Sequence, residues 1–73
     1  MMNERERVEK DVLLFEKNLL GFETNDEKET NVVELAQLYY EDAKYYLRGN
    51  DLFTAFGCIN YAHGLLDALI KIR

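Results

Sequence analysis

Seventy-three residues leave room for one domain, 1–73, with a small core, because a chain this short buries only about 60 % of the surface its unfolded form exposes. Hydrophobic residues at 48 % and charged residues at 32 % make a globular rather than a disordered balance, and proline, the strongest helix breaker, is absent. The net charge of −5 is concentrated in residues 21–45, a field that repels phosphate backbones and argues against nucleic acid as a partner.

One group, Arg5, Arg7 and Lys10, offers a local exception to that acidity. A single cysteine, Cys58, cannot form an internal disulfide and asks for no oxidising compartment. No stretch approaches the roughly 18 apolar residues of a membrane span, and "MMNERERVEKD" has no apolar signal core. The composition thus predicts a small cytoplasmic protein with no membrane partner.

In the first segment Val8, Val12, Phe15 and Leu19 recur at helical spacing, while Glu9, Lys10, Glu16 and Lys17 fill the rest of the wheel. This predicts a helix over about 4–20, closed at Gly21 by a left-handed residue. The second segment sets Val32, Ala36, Tyr39, Tyr40, Ala43, Tyr46 and Leu47 on one face. Thr24-Asn-Asp-Glu27 and Asn31-Val-Val-Glu34 both read as capping boxes for it. The earlier box leaves the shorter connection, so the helix is expected over 25–48, ending at Gly49. The third, over 51–72 and capped by Asn50 or Asp51, turns Leu52, Ala55, Phe56, Ile59, Ala62, Leu66 and Ile70 inward, with Leu65 and Leu69 at the flanks. Three amphipathic helices joined by short connections make an all-α, antiparallel up-down-up bundle. The periodicity puts Phe56 among the core residues, where truncation to alanine should cost about 3–5 kcal/mol.

Chemistry has few places to reside. His63 and Asp67 lie one turn apart on an edge of the third helix, a spacing at which a carboxylate can orient an imidazole as a base. No nucleophile shares that edge, so a packed histidine is the simpler reading. Cys58 points about 140° away from His63, which rules out a dyad within this helix. A di-iron bundle needs Glu-x-x-His pairs, yet position 60 is Asn and there is one histidine. The acidic loop from Glu23 to Glu29 lacks the ligand spacing and central glycine of a calcium hand. Gly49-Asn-Asp is a helix stop, since no glycine-rich phosphate cradle follows a strand. No cofactor, metal or catalytic residue is expected, and the chain is read as non-enzymatic.

Two surfaces invite a partner instead. Leu38 and Tyr45 fall opposite the apolar face of the second helix, among Glu34, Glu41 and Asp42. On the third helix Gly57 and Gly64 lie about 20° apart, away from the core stripe, with Phe53, Asn60, Tyr61 and Ala68 alongside. Glycine inside a helix costs about 0.8–1 kcal/mol relative to alanine. Two of them beside an exposed aromatic suggest a strip where another helix approaches closely, in a protein partner or by self-association.

"AQLYYEDAKYYLRGNDLFTAFGCINYAHGLLDAL", residues 36–69, resembles a small helical family of archaea, domain of unknown function 357. The resemblance rests on Tyr39, Asp42, Ala43, Gly49, Asp51, Ala55, Phe56, Tyr61, Ala62, Gly64, Asp67 and Ala68. Asn50 departs from the pattern by separating a glycine and an aspartate that are usually adjacent. The resemblance implies a three-helix bundle from an archaeal cytoplasm and brings no activity or ligand with it. Ala43, Tyr46, Gly49, Asp51, Ala55 and Ala62 also have the small-large-small order of a tetratricopeptide hairpin, although no second copy at a ~34-residue period follows. Ribonuclease bundles of the HEPN type share the texture, but no arginine stands where their Arg-x4–6-His motif requires one.

The expected function is therefore a protein-interaction or structural domain. One rival is a small-molecule-binding or enzymatic bundle using Asn60, His63 and Asp67. The other is an adaptor holding a peptide in a groove beside Tyr45.

Overall fold

The computed structural model describes residues 2–72; Met1 and Arg73, the ends of the expected domain, lie outside the described residues. Three helices follow one another: α1 over Glu4–Leu20, α2 over Glu27–Arg48 and α3 over Leu52–Lys71. They form an all-α up-down-up bundle. α3 packs against both neighbours and more extensively against α2, while α1 and α2 touch least.

Each helix starts where a side chain can take up an orphan amide. Asn3 opens α1 with a capping box: its Oδ1 accepts from Glu6 N at 2.8 Å, and the Glu6 carboxylate accepts from Asn3 N. α2 begins two residues later than the sequence suggests. Asp26 is its cap, accepting from Glu29 N at 2.9 Å. Thr24 acts just upstream: its Oγ1 accepts from Asp26 N and donates to the Glu29 carboxylate. The threonine thus fixes the turn before the helix, and the aspartate inside that turn, three residues before Glu29, takes the cap. Asp51 caps α3, accepting from Thr54 N at 3.2 Å, so α3 begins at Leu52.

The left-handed residue expected at Gly21 is not there. Gly21 has φ −85°, and Phe22 N–H donates to Leu19 C=O, tightening the last turn. This exit swings Phe22 onto the core. Between α2 and α3 the left-handed residue is Asn50, with φ 62°, and not the glycine before it. Asp51 N–H donates to Tyr46 C=O and Asn50 N–H to Leu47 C=O, the paired bonds of a Schellman ending. Asparagine tolerates this conformation better than most residues. Its amide oxygen is also held: Arg5 Nη2 donates to Asn50 Oδ1 and to Leu47 C=O, both at 2.9 Å. The residue that interrupts the Gly-Asp pair is therefore the one that makes the turn, and a cation from α1 completes the α2 terminus.

The core is thin. Val8, Val12 and Phe15 of α1, Ala36 and Ala43 of α2, and Ala55, Ile59, Ala62, Leu66 and Leu69 of α3 are buried. Both alanine pairs sit seven residues apart, so each lies along one line of its helix. Small residues on both surfaces bring α2 and α3 close, and Tyr39, Tyr40, Tyr46 and Leu47 close over the sides.

The α3 face is rotated from the expected one. Phe56 is 47 % exposed and Ile70 is exposed, whereas Leu69 is buried. The buried arc leans by about 40° toward α2, because α2 is the larger contact and draws Ala62, Leu65 and Leu69 toward itself. Phe56 is left at the α1 edge beside Met2 and Leu14, which line a shallow depression with it.

Two outcomes test this packing by urea denaturation. Phe15→Ala should cost about 3–5 kcal/mol, the price of a full cavity, and Phe56→Ala only about 1 kcal/mol, since half its surface is already wet. At the turn, Asn50→Val should cost about 1–2 kcal/mol through the left-handed backbone, and Asn50→Gly should change stability less. Equal losses from the two glycine and valine variants would contradict the turn assignment.

Candidate functional site

The polar residues of α3 do not converge. His63 Nε2 lies 2.8 Å from Asp11 C=O, and since a carbonyl only accepts, that nitrogen carries the hydrogen. The ring meets Phe15 edge-on, with centroids 5.6 Å apart at 85°. His63 is thus half-buried as a strut between α3 and α1, without a hydrogen bond to Asp67. Asn60 points to solvent on another face, and Asp67 is half-buried. The three do not share a depression with one another in any of four surface hollows. The broadest of these lies over the α1–α2 connection, lined by Phe22, Thr24, Asp26 and Val33 among others. Among the described residues no cluster of three His, Cys, Asp or Glu side chains is placed to hold a metal ion.

Cys58 is half-buried at the α2 side of α3. Burial pushes its thiol pKa up, and the negative charges of Asp42 and Asp51 push it further. A thiol held protonated is a poor nucleophile.

A second polar group joins α1 and α2. Tyr40 stacks on Phe15, with centroids 5.1 Å apart at 23°, and its hydroxyl donates to the Glu16 carboxylate. Lys44 Nζ sits 4.4 Å above the Tyr40 ring and 3.2 Å from Glu41 Oε1. Burial first, and then the bond to Glu16, raise the Tyr40 pKa above its ordinary value. The Tyr40 hydroxyl first, then Glu41, raise that of Lys44. The sequence hides this group, because Glu16 and Tyr40 lie on different helices and neither belongs to a motif.

The strip on α3 faces outward along its whole length. Phe53, Gly57, Asn60, Tyr61, Gly64 and Ala68 are all exposed. Phe53 is 90 % exposed, the barest large apolar side chain among the described residues. A Cβ built at Gly57 or Gly64 meets nothing within 4 Å, so neither glycine serves a contact inside the chain. Tyr61 borders the strip on the α2 side, its ring 4.5 Å from that of Tyr39.

On α2, Leu38 and Tyr45 are 63 % and 64 % exposed. Tyr45 leans edge-on against Tyr46, and the hollow between α1 and α2 is lined by Val12, Leu13, Lys44 and Leu47 rather than by Tyr45.

The Tyr40 shift has a testable sign. A pKa raised on folding contributes stability that is present below the ordinary tyrosine range, near pH 10, and is lost as pH rises through the higher folded value. Wild-type stability should therefore fall above pH 10 in denaturation series, and Tyr40→Phe should flatten that fall. An alkaline limb identical in both would contradict the shift.

No helix among the described residues is long and apolar enough to cross a membrane. No curated protein matches the chain. The sequence profile of the family described as "Protein of unknown function (DUF357)" matches residues 11–73, which takes in most of α1 and all of α2 and α3. With the greater part of its length matched, the chain belongs to the DUF357 family.

Proposed function

We propose that this chain is a non-enzymatic protein-interaction module of an archaeal cytoplasm, and that its contact face is the outer face of α3. The observation that carries this reading is the bare strip around Phe53, with open space over both glycines. Elsewhere exposed apolar side chains such as Leu38 and Tyr45 stand among charges, and isolated ones are ordinary on a protein surface. Here an aromatic, two flat glycine positions, an amide and a tyrosine follow one another along one helix with no charge among them. Contiguous exposed apolar surface is where interaction sites are found, and Phe53, the barest large apolar side chain among the described residues, stands at the head of this strip. The archaeal and cytoplasmic parts rest on the motif resemblance and on the lone cysteine.

The catalytic alternative draws less support, because His63 is engaged as a strut and stands apart from Asn60. The peptide-adaptor alternative needs a groove beside Tyr45, and the α1–α2 hollow lies elsewhere.

Affinity capture from an archaeal lysate, with mass spectrometry of what co-elutes, tests the reading when run on matched variants. Phe53→Glu should lose co-eluting protein at least tenfold with helical circular dichroism unchanged, while Leu38→Glu and His63→Gln should retain it. Capture indifferent to Phe53→Glu, or abolished by His63→Gln in a folded protein, would overturn it.

A further inference from the structure

α1 has a second face. Val8, Val12, Phe15 and Leu19 meet the bundle, yet Leu13 and Leu20 are exposed on the outer side, seven residues apart and so on one line of the helix. Lys10 and Lys17 repeat that spacing about 60° further round. The acidic side chains of α1 are placed or engaged elsewhere. Glu4 and Glu6 lie in the first turn, where Glu6 closes the capping box, and Glu9 faces Arg5 at 4.0 Å. Asp11 is half-buried on the α3 side, and Glu16 takes the Tyr40 hydroxyl.

The outer face of α2 is built the same way with the charge reversed. Leu38 and Tyr45 are exposed at seven-residue spacing, and Glu34 and Glu41 repeat it about 40° round the helix in the other sense. Among the described residues Lys10, Lys17 and Glu34 have no ion pair, and Glu41 has only Lys44 of its own helix, at 3.2 Å. The charges that set Leu38 and Tyr45 apart from a bare strip therefore define what can cover them.

We propose that the outer face of α1 in one copy packs, parallel, on the outer face of α2 in a second copy. This contact uses no residue of the α3 strip. With Leu13 level with Leu38, Leu20 falls level with Tyr45, since both pairs are 25 residues apart. Lys10 then stands a single residue rise, about 1.5 Å, from Glu34 along the axis, and Lys17 the same from Glu41.

The sides agree as well. Between parallel helices face to face, a line displaced one way round the first lies beside a line displaced the other way round the second. Lysines and glutamates therefore border the apolar seam together, as flanking charges do in a coiled coil. Glu27 and Arg48 fall beyond the ends of α1 in this register. Asp42 falls on the opposite border, toward Glu16, whose carboxylate is turned inward to Tyr40. Reversing one helix would instead set Lys10 level with Arg48 and bring the glutamates to the border of Glu9 and Glu16.

Leu13 borders the hollow between α1 and α2, whereas Leu38 and Tyr45 stand clear of it, so one neighbour does not cover both lines. The contact is heterologous, and copies add head to tail. Being bordered by exposed ion pairs, it weakens as salt rises.

Light scattering after size exclusion should show a mass that grows past the dimer with concentration at low salt and falls toward the monomer in about 0.5 M salt. Lys10→Glu with Lys17→Glu should run as a monomer, and so should Glu34→Lys with Glu41→Lys, each with helical circular dichroism unchanged. Both variants keep a net negative charge, yet mixing them should restore association, because each supplies the face that the other has lost. In a Cys58→Ser background under mild oxidation, Leu13→Cys chains should form a mixed disulfide with Leu38→Cys chains. They should not form one with Tyr45→Cys chains, which the reversed register would select.

A wild-type protein that stays monomeric at every concentration in low salt overturns the contact, as do charge variants that associate alone or a mixture that does not. Growth that stops at the dimer overturns the head-to-tail arrangement. A disulfide to Tyr45→Cys in place of Leu38→Cys overturns the parallel register. Phe53→Glu should leave the association intact. Association lost in Phe53→Glu and indifferent to the lysine variant would place the self-contact on α3 and overturn this one.

Discussion

The bundle depends on Phe15, where all three helices meet. It is fully buried, lies flat against Tyr40 of α2 and takes the edge of His63 from α3. Both neighbours have a polar end that must be satisfied as the ring is enclosed. Tyr40 reaches the Glu16 carboxylate, and His63 reaches the Asp11 carbonyl. These two bonds return to α1, the helix that supplies Phe15, so one aromatic contact and two polar ones orient α1 on a pair of helices it would otherwise touch only lightly. No buried side-chain polar atom among the described residues is left without a partner, which is what a core with so few large side chains requires.

The remainder follows from the difference between the two helix pairs. α2 and α3 pack through alanines and therefore closely, while α1 packs through valines, a phenylalanine and a histidine strut. The closer pair governs how α3 is rotated. Turning Leu69 inward toward α2 leaves Phe56 half-exposed at the α1 edge, and it carries Gly57, Gly64 and Phe53 to the side directly opposite the core. The outer strip is thus a consequence of how the inner face is satisfied, and its emptiness is not explained by anything within one chain.

Much of this was legible in the residues. Helix periods placed Val8, Val12 and Phe15, the alanines of α2, and Ile59, Ala62 and Leu66 inside, because a spacing of three or four fixes a face whatever it meets. The resemblance built on Tyr39 through Ala68 led to the family that the chain proves to belong to. What stayed hidden depends on partners far apart in sequence. Phe56 and Leu69 exchange places because of the relative size of two interhelical contacts, which no single helix wheel contains. Arg5 reaches the end of α2, and Asn50 rather than glycine takes the left-handed position, through bonds that only the assembled bundle provides. His63 and Asp67 share an edge of the wheel, yet the carbonyl of Asp11 is the group that meets the imidazole.

α3 holds α1 and α2 with its inner face, and its outer face, with Phe53 90 % exposed and open space over both glycines, is read as a second contact. Nuclear magnetic resonance of the isotope-labelled chain, alone and in archaeal lysate, tests that outer contact directly. The ring signals of Phe53 and Tyr61 should shift or broaden selectively in lysate, ahead of those of Tyr45 on α2. Phe53 and Tyr61 signals unmoved by lysate would contradict it.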